Sequence, residues 1–187
     1  MSNLLVIGVV GLQGSGKTEV AKAISQFGIP RVRMGDIVLE EVRKRGLDLN
    51  EQTVGAIAEE IRKIEGAAAI AKRCAPLIRS LGRGKKGVVV DGIRSKAEVD
   101  EFREIFGKNF LLIAVKANER IRYERVRSRS RIDDATGPES FREKEKRELS
   151  WGLKQAMEAA DFTLINEGTL EDLQRQVNKI LKKIIQV

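Results

Sequence analysis

Residues 11–18 read GLQGSGKT, directly after the apolar run LLVIGVV and directly before the helical pattern EVAKAISQF. Glycines in a loop between a strand and a helix let backbone N–H groups turn toward phosphate oxygens, and the helix N-terminus adds a positive end. In this spacing, the P-loop pattern, Lys17 reaches the β- and γ-phosphates and the Thr18 hydroxyl coordinates Mg²⁺. We therefore expect nucleotide phosphates to be bound by Gly11, Gly14, Ser15, Gly16, Lys17 and Thr18.

Five short runs rich in apolar and β-branched residues alternate with helical patterns along the chain. Because most of these runs are continuously apolar, they are typical of strands covered by helices on both faces. We expect one α/β domain over residues 1–187, with a five-stranded parallel sheet flanked by helices. The predicted strands are LLVIGVV (4–10), PRVRM (30–34), GVVVD (87–91), FLLIAV (110–115) and FTLI (162–165).

The stretch between the second and third predicted strands, residues 36–84, carries helical patterns only. We expect it to be an insertion that supplies a substrate-binding flap. The helices predicted from periodicity and capping signals span 17–27, 36–45, 50–64, 67–81 and 169–185.

Composition argues against several classes of protein. The chain has no histidine, so proton transfer needs a carboxylate, a lysine or water, and a triad-type hydrolase is disfavoured. The single cysteine, Cys74, excludes an internal disulfide and favours a reducing compartment, while its helical pattern favours a packing role. Without a membrane span or signal-peptide features in the sequence, we expect a cytoplasmic protein with no membrane partner.

The net charge of +8 predicts an anionic partner. Residues 116–131 contain seven basic and two acidic side chains, a patch that could bind nucleic acid or several phosphates of one small ligand. Aromatic residues make up only 4% of the chain and are not interleaved with these arginines, so nucleic acid is the less favoured partner.

The stretch MGDIVLEEV (34–42) resembles a motif of the nucleoside monophosphate kinases, adenylate kinase above all. In those kinases a Gly-Asp pair begins a helix, and an arginine three residues later grips the phosphate of the acceptor. Asp36 matches the aspartate, whereas Leu39 occupies the arginine position. The resemblance therefore implies that Arg43 or Arg62 could bind the acceptor phosphate instead; Asp36 is also compatible with a helix N-cap.

The stretch VVVDGIRSKAE (88–98) is similar to a second motif of the same kinases. The likeness implies that Asp91 orders Mg²⁺ through water and that Arg94 bridges donor and acceptor phosphates by forked hydrogen bonds. Glu98 stands where the family places a glutamine that reads the acceptor base. A carboxylate only accepts hydrogen bonds, so the acceptor could differ from AMP.

The stretch RYERVRSRSRIDDATGPESFREKE (122–145) resembles the short lid of these kinases, with an Arg-x-Asp-Asp box at residues 131–134. The likeness implies a lid over 125–142 that closes on the nucleotide and places cations around the transferred phosphoryl group. It assigns Arg125 to ATP binding and Arg129, Arg131 and Arg142 to catalysis. The remaining arginines of the helix, Arg120, Arg122 and Arg127, are expected to be solvated.

The stretch ADFTLINEGTLEDL (160–173) resembles the last strand and helix of dephospho-CoA kinases and adenylate kinases, in which the following loop lines the donor adenine. An ordinary strand-to-helix turn is equally compatible. Taken together, the motifs are most similar to an archaeal group of P-loop proteins related to adenylate kinase and dephospho-CoA kinase. Membership implies a nucleoside-monophosphate-kinase-like fold that uses ATP and Mg²⁺.

Three functions stay open at the level of sequence. We favour a kinase that transfers the ATP γ-phosphoryl group to a nucleotide-like small molecule, a nucleoside monophosphate. A dephospho-CoA-kinase-like enzyme would phosphorylate a hydroxyl and need a base, for which Asp36 is the candidate. An ATP-dependent RNA or ribosome assembly factor with weak ATPase activity would use the basic lid instead.

Overall fold

The computed structural model of the chain describes residues 4–129 and 137–185. Five strands lie within these residues: β1 (Leu5–Val10), β2 (Arg31–Arg33), β3 (Gly87–Ile93), β4 (Phe110–Lys116) and β5 (Phe162–Ile165). The described α-helices are α1 (Lys17–Ser25), α2 (Met34–Lys44), α3 (Glu51–Glu65), α4 (Ala69–Leu81), α5 (Lys96–Phe106), α6 (Glu119–Arg129), α7 (Pro138–Ser150), α8 (Leu153–Glu158) and α9 (Leu170–Ile185).

The five strands form one sheet in the order β2-β3-β1-β4-β5, and every pairing is parallel. This confirms the predicted five-stranded parallel sheet. The order places the carboxyl end of β1, which leads into the loop 11–18, beside the carboxyl end of β3, which carries Asp91. In parallel α/β sheets, ligands bind at the carboxyl ends of strands where the strand order reverses.

Helices cover both faces of the sheet, as the continuously apolar strands predicted. Alternate residues of β1 enter two separate cores, with Val6 on one side and Ile7 on the other. The core around Val6 contains residues of α2–α5 and α8, whereas the core around Ile7 contains residues of α1 and α9. Gly8 leaves room for the larger core, because a Cβ there would lie 2.8 Å from the ring of Phe110.

The helix ends show which local signals decided the boundaries. The Asn50 side chain accepts a hydrogen bond from the Thr53 backbone N–H at 2.8 Å, so α3 begins at Glu51 as predicted. Thr169 and Asp172 form the predicted capping box of α9. By contrast, α2 begins at Met34 directly after a three-residue β2, so Asp36 is its third residue and not its N-cap.

The insertion between β2 and β3 consists of the three helices α2, α3 and α4. Ion pairs join these helices: Arg45, the C-cap residue of α2, contacts Glu60 of α3 at 2.8 Å, and Arg73 of α4 contacts Glu41 of α2 at 3.2 Å. None of the helices in the described part of the chain is long and apolar enough to cross a membrane.

Candidate active site

A cavity of about 550 Å³ opens at the carboxyl ends of β1 and β3. The phosphate loop borders it on one side, and α2, α3 and α7 border it on the other. Eight lysine and arginine side chains line it, against five aspartate and glutamate side chains. This excess of positive charge suits a ligand that carries several negative charges.

The glycines of the phosphate loop allow close backbone approach. Gly14 (φ +74°) and Gly16 (φ +102°) have left-handed backbone angles that favour glycine. A Cβ on Gly14 would lie 2.3 Å from the Arg122 carbonyl oxygen, and one on Gly16 would lie 2.1 Å from the Asn166 amide nitrogen. Asn166 also donates a hydrogen bond to the Ser15 carbonyl oxygen at 2.8 Å, so the turn after β5 holds the loop in place.

Lys17 and Thr18 occupy the positions that the loop motif predicts. The Lys17 ammonium donates to the carbonyl oxygens of Gly11 at 2.6 Å and Leu12 at 2.9 Å, and its side chain lines the cavity. The Thr18 hydroxyl donates to a carboxylate oxygen of Asp91 at 3.1 Å. The two residues predicted to hold Mg²⁺ are therefore in direct contact, although 73 positions separate them in the chain.

The local backbone of β3 helps to place Asp91 beside Thr18. The register of β1 and β3 shifts after Asp91, so that Val10 pairs with Ile93 and Gly92 is left over as a bulge with φ +97°. Bulges re-aim side chains at the ends of strands. Gly92, the glycine that follows Asp91, thus forms the bulge that helps to orient the Asp91 side chain.

The donor set fits Mg²⁺. A hydroxyl and a carboxylate are hard oxygen ligands, and Mg²⁺ is usually bound by one or two such groups together with phosphate oxygens and water. Among the described residues, no group of three or more carboxylate, cysteine or histidine side chains could hold a metal ion by itself. Mg²⁺ would therefore be held at Thr18 and Asp91 jointly with a bound nucleotide.

A buried ion pair borders the cavity opposite the loop. Arg62 of α3 donates to Glu98 of α5 at 2.8 Å, and the two residues are only 9% and 0% exposed. The second oxygen of Glu98 accepts from the backbone N–H of Arg94 at 2.8 Å. The Arg62 guanidinium also lies 4.1 Å above the ring of Trp151. Both carboxylate oxygens of Glu98 are thus engaged by protein donors.

Helix α7 lines the same side with residues that the sequence analysis did not single out. Glu148 forms an ion pair with Arg94, and Arg147 forms one with Glu51 of α3. The buried Lys144 lines the cavity one turn earlier. Positions 144, 147, 148 and 151 are spaced so that they lie on one face of a helix. This spacing is the sequence pattern that could have identified them. Trp151 packs against the core around Val6 and also lines the cavity.

The remaining predicted site residues lie in different places. Arg94 and Arg125 line the cavity, and Arg125 donates to the Asn166 carbonyl oxygen at 3.0 Å. The loop residues Gly11 and Ser15 are buried behind its surface. The exposed residues Asp36, Arg43 and Arg142 are not among those that line it. Arg131 and the side chain of Arg129 lie outside the described residues.

The expectation that Arg122 is solvated was wrong. Arg122 is 3% exposed and forms an ion pair with Glu145 at 2.6 Å. It also donates to the Gln13 carbonyl oxygen at 3.3 Å. Its position near the start of α6 brings it against the phosphate loop, so it braces the loop instead of contributing to a free basic surface.

The fold and site define a P-loop protein of the kinase type. A family model described as an AAA domain matches residues 10–142. The chain is 41% identical over 180 residues to a UPF0200 protein of Methanosarcina acetivorans, covering 96% of this chain and 95% of the relative. It is 48% identical over 179 residues to a UPF0200/UPF0201 protein of Archaeoglobus fulgidus, covering 96% of this chain but only 55% of that longer relative. The chain therefore belongs to the AAA-domain family of P-loop proteins and, within it, to the UPF0200 proteins.

Solved structures of kinases share the fold. A shikimate kinase of Acinetobacter baumannii in complex with shikimate matches with a TM-score of 0.59 at 19% identity, covering 98% of this chain and 94% of that one. A gluconokinase of Sinorhizobium meliloti matches with a TM-score of 0.61 at 20% identity, covering 100% of this chain and 96% of that one. A dephospho-CoA kinase of Campylobacter jejuni matches with a TM-score of 0.61 at 13% identity, covering 100% of this chain and 98% of that one. At this identity these matches speak for the fold alone, and they confirm the predicted kinase-like fold. The resemblance to archaeal P-loop proteins is confirmed by the UPF0200 relatives.

Proposed function

We propose that the protein is an ATP- and Mg²⁺-dependent phosphotransferase that transfers the γ-phosphoryl group to a nucleotide-like acceptor, a nucleoside monophosphate. One observation carries the proposal. The contact between Thr18 and Asp91 lies on one side of a cavity whose other side presents Arg62 and Arg94. A plain phosphate-binding loop requires only the first side, whereas a transferase needs cations on both.

On the donor side, the loop N–H groups and Lys17 would bind the β- and γ-phosphates, and Thr18, with Asp91 acting through water, would hold Mg²⁺. Phosphoryl transfer spreads negative charge over the equatorial oxygens of the transferred group. Arg94 and Arg125 line the cavity where that charge develops, and preorganised cations there lower the barrier. Arg129, Arg131 and Arg142 would add to them on closure of the lid.

The acceptor side favours a monophosphate over a hydroxyl. A hydroxyl acceptor needs a base, and Asp36 is exposed, outside the cavity, and 3.4 Å from Arg33. Within the described cavity lining, Glu51, Glu98 and Glu148 are ion-paired with arginines. A monophosphate oxygen is already anionic and needs no base. Of the two candidates to replace the arginine missing at Leu39, Arg62 lines the cavity and Arg43 does not.

The test is a transfer assay with γ-labelled ATP, Mg²⁺ and a panel of nucleoside monophosphates together with dephospho-CoA. We expect label on a monophosphate with the wild-type chain and no label with Lys17→Ala or Thr18→Val. Thr163→Val is a matched control, because Thr163 is an exposed threonine of β5 that is not among the residues lining the cavity. Label on dephospho-CoA alone would replace the monophosphate by a hydroxyl acceptor. Slow hydrolysis of ATP with no labelled acceptor would refute the kinase function.

A further inference from the structure

Helices α3 and α7 approach each other on the acceptor side of the cavity, where Arg147 of α7 also forms an ion pair with Glu51 of α3. Helix α3 contributes Gly55 and, two turns later, Arg62. Helix α7 contributes Arg147, and Trp151 follows as its C-cap residue. Residues at these spacings lie on one face of a helix. The two faces therefore place both guanidinium groups beside one indole, at 4.1 Å for Arg62 and 5.9 Å for Arg147.

Gly55 makes room for Arg147. A Cβ on Gly55 would lie 2.8 Å from the guanidinium carbon of Arg147. The φ angle of Gly55 is not positive, so the backbone does not require glycine there. A glycine inside a helix is less favourable than alanine. The chain thus has a weaker helix former where it lets a guanidinium lie flat against α3.

Both arginines keep an unused donor. The Nε atoms of Arg62 and Arg147 are buried and have no hydrogen-bond partner among the described residues. Buried donors in proteins are nearly always partnered. Both side chains also line the cavity, so an anion bound there would lie beside two guanidinium groups.

Glu98 fixes one of these arginines. It is fully buried, and its oxygens accept from the Arg62 guanidinium and from the Arg94 backbone N–H. With its oxygens engaged in this way, it is poorly placed to read a base edge. The cavity lining also includes the apolar side chains of Val38, Val54 and Ile70.

We propose that Arg62 and Arg147 form an arginine pair that binds the phosphate of the acceptor, and that Glu98 positions Arg62 instead of contacting the acceptor's base. The inference deepens the proposed function and rests on it for the identity of the acceptor. The ligand class it names is a phosphomonoester that is recognised by its phosphate, with weak selection among bases.

The first experiment is calorimetric titration of the full chain, with Mg²⁺ and a non-hydrolysable ATP analogue present, by AMP, UMP and adenosine. We expect AMP and UMP to bind within about tenfold of each other and adenosine to bind far more weakly. Arg147→Ala should weaken both monophosphates by about 10- to 100-fold, because hydrogen bonds to charged groups are strong, without weakening the ATP analogue. Lys146→Ala, an exposed change on the same helix, should leave both affinities unchanged.

Two further variants separate a binding role from a structural one. Gly55→Ala displaces Arg147 while it improves α3, so monophosphate affinity should fall while the melting temperature holds or rises. Glu98→Ala should weaken monophosphate binding, and Glu98→Gln, which keeps an oxygen for Arg62, should restore part of it. Wild-type preference for AMP over UMP of about 100-fold that Glu98→Gln abolishes would show that Glu98 reads the base and would overturn the inference.

The outcomes keep the two proposals apart. If the wild-type chain binds monophosphates through Arg147 but transfers no phosphoryl group, the kinase function fails and the arginine pair stands. If transfer to a monophosphate occurs and Arg147→Ala binds it as tightly as wild type, the arginine pair is wrong and the kinase function stands.

Discussion

The two sides of the cavity are built in different ways. On the donor side, eight consecutive residues form the phosphate loop, and Lys17 bonds to carbonyl oxygens of that loop. On the acceptor side, ion pairs join residues that are distant in the chain. Arg62 and Glu98 are separated by 36 positions of sequence, and Arg147 and Glu51 by 96. Under the proposed function, donor binding would depend on local backbone geometry, whereas acceptor binding would depend on buried charges from distant helices. Loss of a side chain should therefore cost little stability on the donor side and more on the acceptor side.

The largest expected effect on activity is that of Lys17→Ala. Removing the ammonium that neutralises the transferred phosphoryl group should lower phosphotransfer at least about 100-fold. Because Lys17 is only partly buried, the free energy of unfolding should change little. Rates with labelled ATP and urea titration of the same samples check both statements, with the exposed Lys182→Ala as control. A large loss of stability would show that the donor side is not independent of the fold.

The largest expected effect on stability is that of Glu98→Ala. It leaves the Arg62 guanidinium buried without its partner, which should cost about 3–5 kcal/mol in the free energy of unfolding. The double change Glu98→Leu with Arg62→Met removes both charges and should recover most of that loss. Urea titration of the three proteins is the measurement. A loss below about 1 kcal/mol for Glu98→Ala would mean that the pair is open to water.

A smaller effect distinguishes two glycines with similar backbone angles. Gly14 (φ +74°) lies against the Arg122 carbonyl oxygen, whereas Gly84 (φ +68°) has open space around it. Alanine at Gly84 should cost about 1–2 kcal/mol for the left-handed backbone alone. Alanine at Gly14 should cost more and also weaken ATP-analogue binding, because the loop must move. Equal losses in urea titration, with equal nucleotide affinity, would contradict the close packing of the loop.

The smallest effect concerns the core behind the acceptor side. Burial, with contributions from the charges of Glu98 and Asp36, raises the pKa of the Cys74 thiol to about 12. The thiol should therefore stay protonated and unreactive toward a disulfide reagent at pH 8, and react quickly in urea. Since the unfolded chain loses this proton at lower pH than the folded one, stability should fall as pH rises from about 9 to 12. Fast reaction of the native protein at pH 8 would show that this core opens.

The difference between the two sides also explains which site residues could be predicted from the sequence. The loop motif predicted the places of Lys17 and Thr18, and a Gly-containing strand end predicted Asp91, because each signal is local. Arg62 could be named only as one of two candidates, since periodicity does not tell which helix face meets the sheet. Arg122 was assigned to solvent because nothing in the sequence indicates that Glu145 lies beside it. Arg147 was not predicted for the same reason, because the sequence does not indicate that it lies beside Glu51.

The sequence by itself determined the strands, five of the described helices and the phosphate loop, because apolar periodicity, glycines and caps act over a few residues. Only the tertiary structure decided which residues form the proposed acceptor side and which partners they have. Whether Glu98 reads a ligand or holds an arginine depends on which groups surround it after folding. The desolvation of a buried carboxylate demands a partner, and Arg62, brought in from α3, is the partner that the fold supplies.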